Sequence, residues 1–348
     1  MKTPLWLIGL AVIMAIINVG QPASAYAQHS PPNTLHPTVQ LAEHYDTSIP
    51  LAQALPDVAK TGKTIYVPNK VLPKRVRDIK TLEEIKAQGD DAYAQFFAPQ
   101  QDNVLDLAAR VPNMPAPIAN FDGVNNLNAV SPPDPAGDIG YDPSNGRKYY
   151  VQWVNLSYAI WNVTDPASSI LVLGPFNGNR FWQGFGTPCE SENDGDPIVL
   201  FDQLAQRWLV SQFATPKPYY QCVAISASAD PTGSWHRYAF KVSDTKFNDY
   251  AKFGVWPDGY YFSLNNFIGN SWAGTSVVAL ERNKMLSGQP AALIQFDLFD
   301  VNIDYSALLP SDLDGNTLPP AGAPNMFISV DDNALTPGLG SVDMMRLW

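Results

Sequence analysis

Charged residues and histidine are scarce in this 348-residue chain, and the shortage argues against several classes of function. Asp, Glu, Lys and Arg make up only 16% of the residues, and the net charge is −11. Nucleic-acid binding depends on neutralising phosphates with Lys and Arg. An acidic chain whose one basic cluster is Lys74–Arg77 is therefore not expected to bind nucleic acid or an anionic membrane surface.

The familiar catalytic motifs are also missing. The sequence contains no H-E-x-x-H, C-x-x-C, G-x-S-x-G or P-loop pattern. Three of the four histidines lie within the first 44 residues, which leaves His236 alone in the rest of the chain. These absences argue against a zinc centre and a Ser-His-Asp triad, and no organic cofactor is expected.

Turn-forming and aromatic residues are abundant instead. The chain has 31 prolines, 23 glycines and 11% aromatic residues, a composition that favours a secreted all-β protein.

Residues 1–25 have the form of a signal peptide, with an apolar stretch over Leu5–Val19 and the small residues Ala23-Ser24-Ala25. A membrane anchor is the alternative, but the stretch is shorter than a spanning helix needs. We expect a secreted protein, extracellular or at the cell surface, with the periplasm left open and no membrane span after cleavage.

The strongest pattern is a repeat centred on Asp194–Phe240, in which four short β-segments alternate with Asp, Pro and Gly turns. Asp142, Arg147 and Gln152 stand sixty residues before Asp202, Arg207 and Gln212. Four antiparallel strands in about 45 residues match one blade of a β-propeller. The sequence therefore predicts an all-β propeller.

The predicted propeller occupies residues 116–348 and shows about four blades. Blade one spans Asp138–Phe176, blade two Asp196–Phe240, blade three Tyr250–Phe299, and blade four starts near Asp312. We expect either a C-terminally truncated fragment or closure of the ring by Ala116–Val130. Residues 26–115 form a separate irregular region with a loose linker over His29–Asp57 and one helix over Thr81–Phe97.

The stretch Ser228-Ala229-Asp230-Pro231-Thr232-Gly233-Ser234-Trp235 resembles the Asp-box of sialidase-type propellers, with the glycine displaced by one residue. In that family the box forms the turn between the third and fourth strands of a blade, where it is structural. The wider repeat is similar to those of poorly characterised secreted or surface bacterial proteins. The resemblance implies the fold, but the scattered arginines do not form the cluster that a sialidase needs.

The propeller geometry groups candidate residues on the face where the first strand of each blade begins, called the top face. Asp138, Asp194, Asp196 and Asp314 are candidate ligands of Ca²⁺, which prefers several carboxylate and carbonyl oxygens. The alternative is that each aspartate only shapes its own turn.

Cys189 and Cys222 are the only cysteines, and both fall near top-face loops, so we expect them to form a disulfide in an exported protein.

Two top-face loops combine Trp with amide or Arg side chains, a mixture suited to sugars. Arg180 and Trp182 lie in one loop, and Asn270 and Trp272 lie in the other. The alternative is that the tryptophans fill gaps between blades as buried residues.

We expect a non-enzymatic propeller that binds a glycan or a surface partner. The competing hypothesis is a glycoside hydrolase, which needs only two carboxylates.

The signal-peptide interpretation gives a direct test. Cleavage after Ala25 leaves Tyr26 as the new N-terminus, and cleavage after Ala27 is the second choice. N-terminal sequencing of the protein exported by its host should begin at Tyr26. An exported protein that retains residues 1–25 would favour the membrane anchor.

Overall fold

The described part of the chain begins with an extended segment. The computed structural model describes residues 35–54, 117–130, 132–215, 217–303, 305–331 and 344–347. The segment contains two strands, β1 (Thr38–Leu41) and β2 (His44–Thr47), and a single helical turn, α1 (Leu51–Ala54). The predicted signal peptide and the predicted helix over Thr81–Phe97 lie outside the described residues.

Antiparallel pairing between consecutive strands builds the first sheet. Its strands are β3 (Pro135–Asp142), β4 (Arg147–Val154), β5 (Ser157–Asn162) and β6 (Ile170–Asn177). The β3–β4 turn is held by the Asp142 carboxylate, which accepts hydrogen bonds from the Ser144 amide at 2.9 Å and the Ser144 hydroxyl at 2.7 Å. Short polar side chains that bond to the nearby backbone explain why this sequence turns here.

The second and third sheets repeat this arrangement. The second sheet consists of β7 (Ile198–Asp202), β8 (Arg207–Ala214), β9 (Tyr219–Ser226) and β10 (Trp235–Ser243). Between β6 and β7 lie a 3₁₀ helix, Gly178–Trp182, and a short helix, α2 (Pro188–Ser191). The third sheet consists of β11 (Phe247–Val255), β12 (Tyr260–Ile268), β13 (Ser271–Leu280) and β14 (Ala292–Asp297), with helix α3 (Arg282–Leu286) before β14.

A fourth sheet follows, with three strands among the described residues. It contains β15 (Leu309–Pro310), β16 (Phe327–Asp331) and β17 (Met344–Leu347). The described residues are therefore mostly β, as predicted, and the sheets that they form are antiparallel with none of them closed on itself.

The N-terminal segment differs from the prediction. Instead of a loose linker, β1 pairs with β14 at the outer side of the third sheet, and β2 pairs with β10 at the outer side of the second. Arg237 in β10 donates to both carboxylate oxygens of Asp46, at 2.9 and 2.7 Å. The expectation of an irregular region is thus wrong for these residues. The sequence signal was weak because short strands at a sheet edge lack a long alternating pattern.

Aromatic side chains fill the space between the first and second sheets. Trp153, Tyr158, Phe181 and Trp235 belong to one buried cluster, and the rings of Phe181 and Trp235 meet edge to face at 4.7 Å. The predicted disulfide between Cys189 and Cys222 is present in the same cluster and joins α2 to β9. A second buried cluster, which includes Leu209, Tyr238 and Phe262, fills the space between the second and third sheets.

The first strands of successive sheets lie side by side. We call β3, β7, β11 and β15 the inner edge, because β7 lies beside β3 and β11, and β11 lies beside β15. Two carboxylates reach across this edge: Asp138 accepts from the Phe201 amide at 2.7 Å, and Asp312 accepts from the Val255 amide at 2.7 Å. These bonds connect neighbouring sheets through the backbone of the adjacent strand.

A buried ion pair joins the second and third sheets at the other end of the inner edge. Asp202, at the end of β7, is fully buried, and Arg282 of α3 donates to its two oxygens at 2.7 and 2.9 Å. The Tyr260 hydroxyl adds a third bond to Asp202 at 2.9 Å. Burial, followed by the Asp202 charge, raises the pKa of Tyr260 well above its usual range, so the phenol stays a donor.

Removing one partner of this pair should be costly. Asp202→Ala leaves the Arg282 guanidinium buried without its counter-charge, so we expect it to lower the free energy of unfolding by about 3–5 kcal/mol. Urea denaturation measures this. Asp300→Ala, at an exposed position, is the matched control and should change the free energy by less than about 0.5 kcal/mol. A similar small loss in Asp202→Ala would contradict a structural role for the pair.

Candidate functional site

Three aspartates stand where the inner-edge strands of three different sheets begin. Asp134 precedes β3, Asp196 precedes β7, and Asp249 lies near the start of β11. The backbone is left-handed at Asp134 and Asp196, with φ of 41° and 46°, and at Tyr250, next to Asp249, with φ of 55°. Aspartate tolerates this conformation better than most residues. The repeated turn brings one carboxylate from each sheet to the same end of the structure.

The three side chains form a hydrogen-bonded carboxyl cluster. Asp196 is bonded to Asp249 and to Asp134, so it lies between them. Two carboxyl groups share a hydrogen bond favourably only if one of them carries a proton. Burial, together with the charge of Asp249, raises the pKa of Asp196 to about 7. Burial and the charge of Asp196 also raise the pKa of Asp134.

A lysine and an asparagine complete the site. The positive charge of Lys252 in β11 lowers the pKa of both Asp134 and Asp196, which offsets part of the rise. The Lys252 ammonium lies 3.8 Å from the ring centroid of Tyr250, an exposed residue. The amide of Asn155, in the β4–β5 turn, donates to Asp134 at 3.0 Å. The cluster thus contains three carboxyl groups and one ammonium, contributed by three sheets.

This arrangement can perform acid–base chemistry near neutral pH. A carboxyl group that keeps its proton up to about pH 7 can donate it, while a neighbouring ionised carboxylate can accept one. Environments that separate the pKa values of paired titratable groups are typical of sites that perform acid–base catalysis. Asp134, Asp196 and Asp249 each keep part of their surface exposed to solvent.

A second acidic group lies further along the inner edge. Burial raises the pKa of Asp138, with smaller contributions from the charges of Asp314 and Asp312 in the fourth sheet. Burial likewise raises the pKa of Asp312, and Asp314 contributes there too. Aspartates from the first and fourth sheets are therefore close enough to repel one another.

The four aspartates predicted to bind calcium do not form a single site. Asp194 is buried and accepts hydrogen bonds from the amide and hydroxyl of Thr215, at 2.6 and 2.8 Å. Asp138 binds the Phe201 amide, Asp196 belongs to the carboxyl cluster, and Asp314 is exposed. Within the described ranges no group of three or more His, Cys, Asp or Glu side chains is placed to hold a metal ion. Calcium binding stays a prediction.

The residues predicted to bind sugar are also dispersed. Trp182 is fully buried against Trp153 and Phe181, so its prediction as a sugar platform is wrong, and the alternative of a gap-filling residue holds. Arg180 stacks on Phe176 at 5.5 Å in the first sheet. Asn270 is exposed at the β12–β13 turn, and the indole of half-buried Trp272 donates to the Ile303 carbonyl at 2.5 Å.

Sequence reasoning missed Asp134 and Lys252. The signal for Asp134 was present, because Asp134-Pro135 repeats Asp196-Pro197. The first strand of the first sheet is eight residues long, whereas that of the second sheet is five, and this difference hid the correspondence. Lys252 follows a bulge in β11 between Asp249 and Lys252, which the sequence pattern did not reveal.

A cleft elsewhere in the protein lacks this chemistry. This open cleft of about 520 Å³ lies between residues 118–123 and the first sheet, and Ile139, Tyr150 and Val163 are among the residues that line it. Its described lining residues include no carboxylate, so the carboxyl cluster is the stronger candidate for a reactive site.

Comparison with known proteins leaves the family open. No family model matches the chain, and no curated protein matches it. A solved structure of a thermostable family-43 glycoside hydrolase is similar, with a TM-score of 0.24 and 13% identity over 41% of this chain. The chain covers 53% of that protein. A similarity at this level supports no inference about fold or activity.

The raised pKa of Asp196 predicts a pH-dependent effect on stability. An aspartate with a raised pKa holds its proton more tightly in the folded state, so it contributes most stability at pH 4 and below. That contribution is lost as the pH rises towards 7. The side-chain amide introduced by Asp196→Asn stays neutral at every pH. At pH 8 we therefore expect this variant to have a free energy of unfolding roughly 2 kcal/mol higher than wild type, and a higher melting temperature.

Thermal unfolding at pH 5 and pH 8 tests this expectation. The advantage of Asp196→Asn should shrink at pH 5, where wild-type Asp196 is protonated. Asp300→Asn, an exposed control, should follow wild type at both pH values. An Asp196→Asn difference that is the same at both pH values would contradict the shared proton.

Proposed function

We propose that the four sheets are blades of an exported β-propeller, and that its carboxyl cluster hydrolyses glycosidic bonds. Support for the propeller comes from the repeated up-and-down sheets and from the inner edge along which their first strands follow one another. The turn at Ser228–Trp235 also joins the third and fourth strands of the second sheet, where an Asp-box would lie. The disulfide is compatible with export.

The observation that carries the activity is the bond of Asp196 to two other aspartates. Glycoside hydrolysis needs one protonated carboxyl group and one ionised carboxylate. Asp196, with its pKa raised to about 7, is the general acid and donates its proton to the glycosidic oxygen. Asp134 or Asp249 is ionised and takes a proton from the water that attacks the anomeric carbon. Such a reaction needs about 6.5–9.5 Å between the acid and the base, so the hydrogen bond between Asp196 and the base has to open when the sugar and the water enter. The bond to the leaving group breaks as the bond to water oxygen forms.

The neighbouring residues have supporting roles. Lys252 offsets part of the rise in the pKa of Asp134, since its ammonium favours the ionised form of that carboxyl group. Asn155 orients the same carboxylate with its amide. The exposed ring of Tyr250 beside the cluster gives a sugar ring an apolar surface to stack on.

Binding without catalysis is less well supported than it was from the sequence. That hypothesis used Trp182 as a sugar platform, and the side chain is buried. The hydrogen-bonding capacity of Trp272 is already used by Ile303, which leaves exposed Asn270 as the accessible polar group of the pair.

Aryl glycosides with neutral sugars test the activity of the purified mature protein. We expect release of the aryl group with at least one sugar, and a loss of about 10²–10⁴ in kcat for Asp196→Asn, the contribution typical of a general acid. The rate should fall as the pH rises above 7, because Asp196 then loses its proton.

Matched variants distinguish the roles. Asp134→Asn and Asp249→Asn identify the base, since only loss of the base should be rescued by an added nucleophile such as azide. Asp300→Asn should keep full activity. Turnover that is indifferent to Asp196→Asn, or glycan-array binding with no turnover of any glycoside, would overturn the proposal.

A further inference from the structure

An open polar groove lies between the second and third sheets, at the end where β10 and β14 finish. Its volume is about 470 Å³, within the range of roughly 300–1,000 Å³ that small-molecule sites occupy. The walls come from the end of β10, from the loop that joins β10 to β11, and from strands β1, β12 and β14. None of its described lining residues belongs to the carboxyl cluster.

Two amide side chains of the third sheet, Asn266 and Gln295, form part of the groove wall. The Nδ2 of Asn266 donates to the Ser276 hydroxyl at 2.8 Å, and the Nε2 of Gln295 donates to the same oxygen at 3.0 Å. Their side-chain carbonyl oxygens accept no hydrogen bond from the described part of the chain. Asn266 is only 3% exposed, so its carbonyl has little access to solvent and is stabilised by a donor from a ligand. The groove therefore offers two acceptors to a ligand that carries hydrogen-bond donors.

The charged side chains that line the groove cancel one another. Lys246 donates to Asp297 at 2.5 Å, and the Lys241 ammonium lies 3.3 Å from Asp244. Lys241 also lies 3.5 Å from Glu43, which is not a lining residue. An anionic ligand would meet two carboxylates and a cationic ligand two ammonium groups, and like charges brought together are costly. The groove therefore favours a neutral ligand.

The rest of the wall adds groups that both donate and accept hydrogen bonds. Thr38 and Gln40 of β1 line one side, and Ser243 and Thr245 line the other. Among the described lining residues Val242 alone has an apolar side chain, so hydrogen bonds rather than stacking govern recognition. A neutral sugar matches this wall, because each of its hydroxyl groups also donates and accepts. We propose that the groove binds one neutral sugar unit of a glycan, a function that goes beyond the proposed hydrolysis and does not depend on it.

A glycan array followed by titration calorimetry with a bound neutral oligosaccharide tests this proposal on the full mature chain. We expect binding to neutral glycans. Thr38→Trp fills the groove from an exposed position and should weaken binding by about tenfold or more. Val39→Trp is the matched control and should bind as wild type does. Successive side chains of a strand point to opposite faces, and exposed Val39 does not line the groove.

Two further variants separate the groove from the carboxyl cluster. Gln295→Ala removes one acceptor and should weaken binding about three- to tenfold, whereas Asp196→Asn should bind as wild type does. Turnover of aryl glycosides should be unchanged in Thr38→Trp, so either proposal can fail without the other.

Binding that is lost in Asp196→Asn and kept in Thr38→Trp would place the sugar at the carboxyl cluster and overturn the proposal. So would an affinity that neither Thr38→Trp nor Gln295→Ala changes, or a preference for acidic or amine-bearing glycans. Absence of binding to every neutral glycan on the array would overturn it as well.

Discussion

The arrangement of the sheets depends on carboxylates that accept hydrogen bonds from the backbone of a neighbouring sheet. Strands within a sheet satisfy one another's backbone hydrogen bonds, but an inner-edge strand has one side whose amides and carbonyls face no strand of its own sheet. Asp138 reaches from the first sheet to Phe201 in the second, and Asp312 reaches from the fourth to Val255 in the third. An ionised acceptor makes such bonds stronger than neutral ones. The aspartates therefore act as connectors, and their cost is mutual repulsion along the inner edge.

That repulsion is distributed unequally between the two ends of the edge. At the end where the inner strands stop, Asp202 has a full counter-charge in Arg282. At the end where they start, one lysine faces three carboxyl groups, and a proton on Asp196 reduces the excess negative charge. An aspartate held in an ion pair has no proton to donate, whereas a protonated aspartate can transfer its proton to a substrate. The contrast explains why the candidate site lies at the starting end.

Sequence reasoning predicted the repeated sheets because each turn has its own local signal. Asp142 and Asp202 stand sixty residues apart and bind their own turns in similar ways. The disulfide was predictable because its two cysteines fall near loops at the same end of adjacent elements.

Contacts between distant segments had no comparable signal. The pairing of Thr38–Leu41 with β14, and the meeting of Asp134 with Asp196, depend on tertiary packing rather than on a local pattern. The burial of Trp182 was undecidable from sequence because an aromatic residue suits a surface platform and a core equally well.

The pairing of the N-terminal segment also determines the order in which the chain can fold. Asp46 and Arg237 are separated by 191 residues in the sequence, so β2 has no partner when it first leaves the ribosome. Each meander can assemble from local contacts, but β1 and β2 close loops that span most of the chain, and such non-local contacts slow folding. Until that step the edges of β10 and β14 stay open to other chains. The covering of β10 and β14 by β2 and β1 is therefore a late step that removes two edges from competition with aggregation.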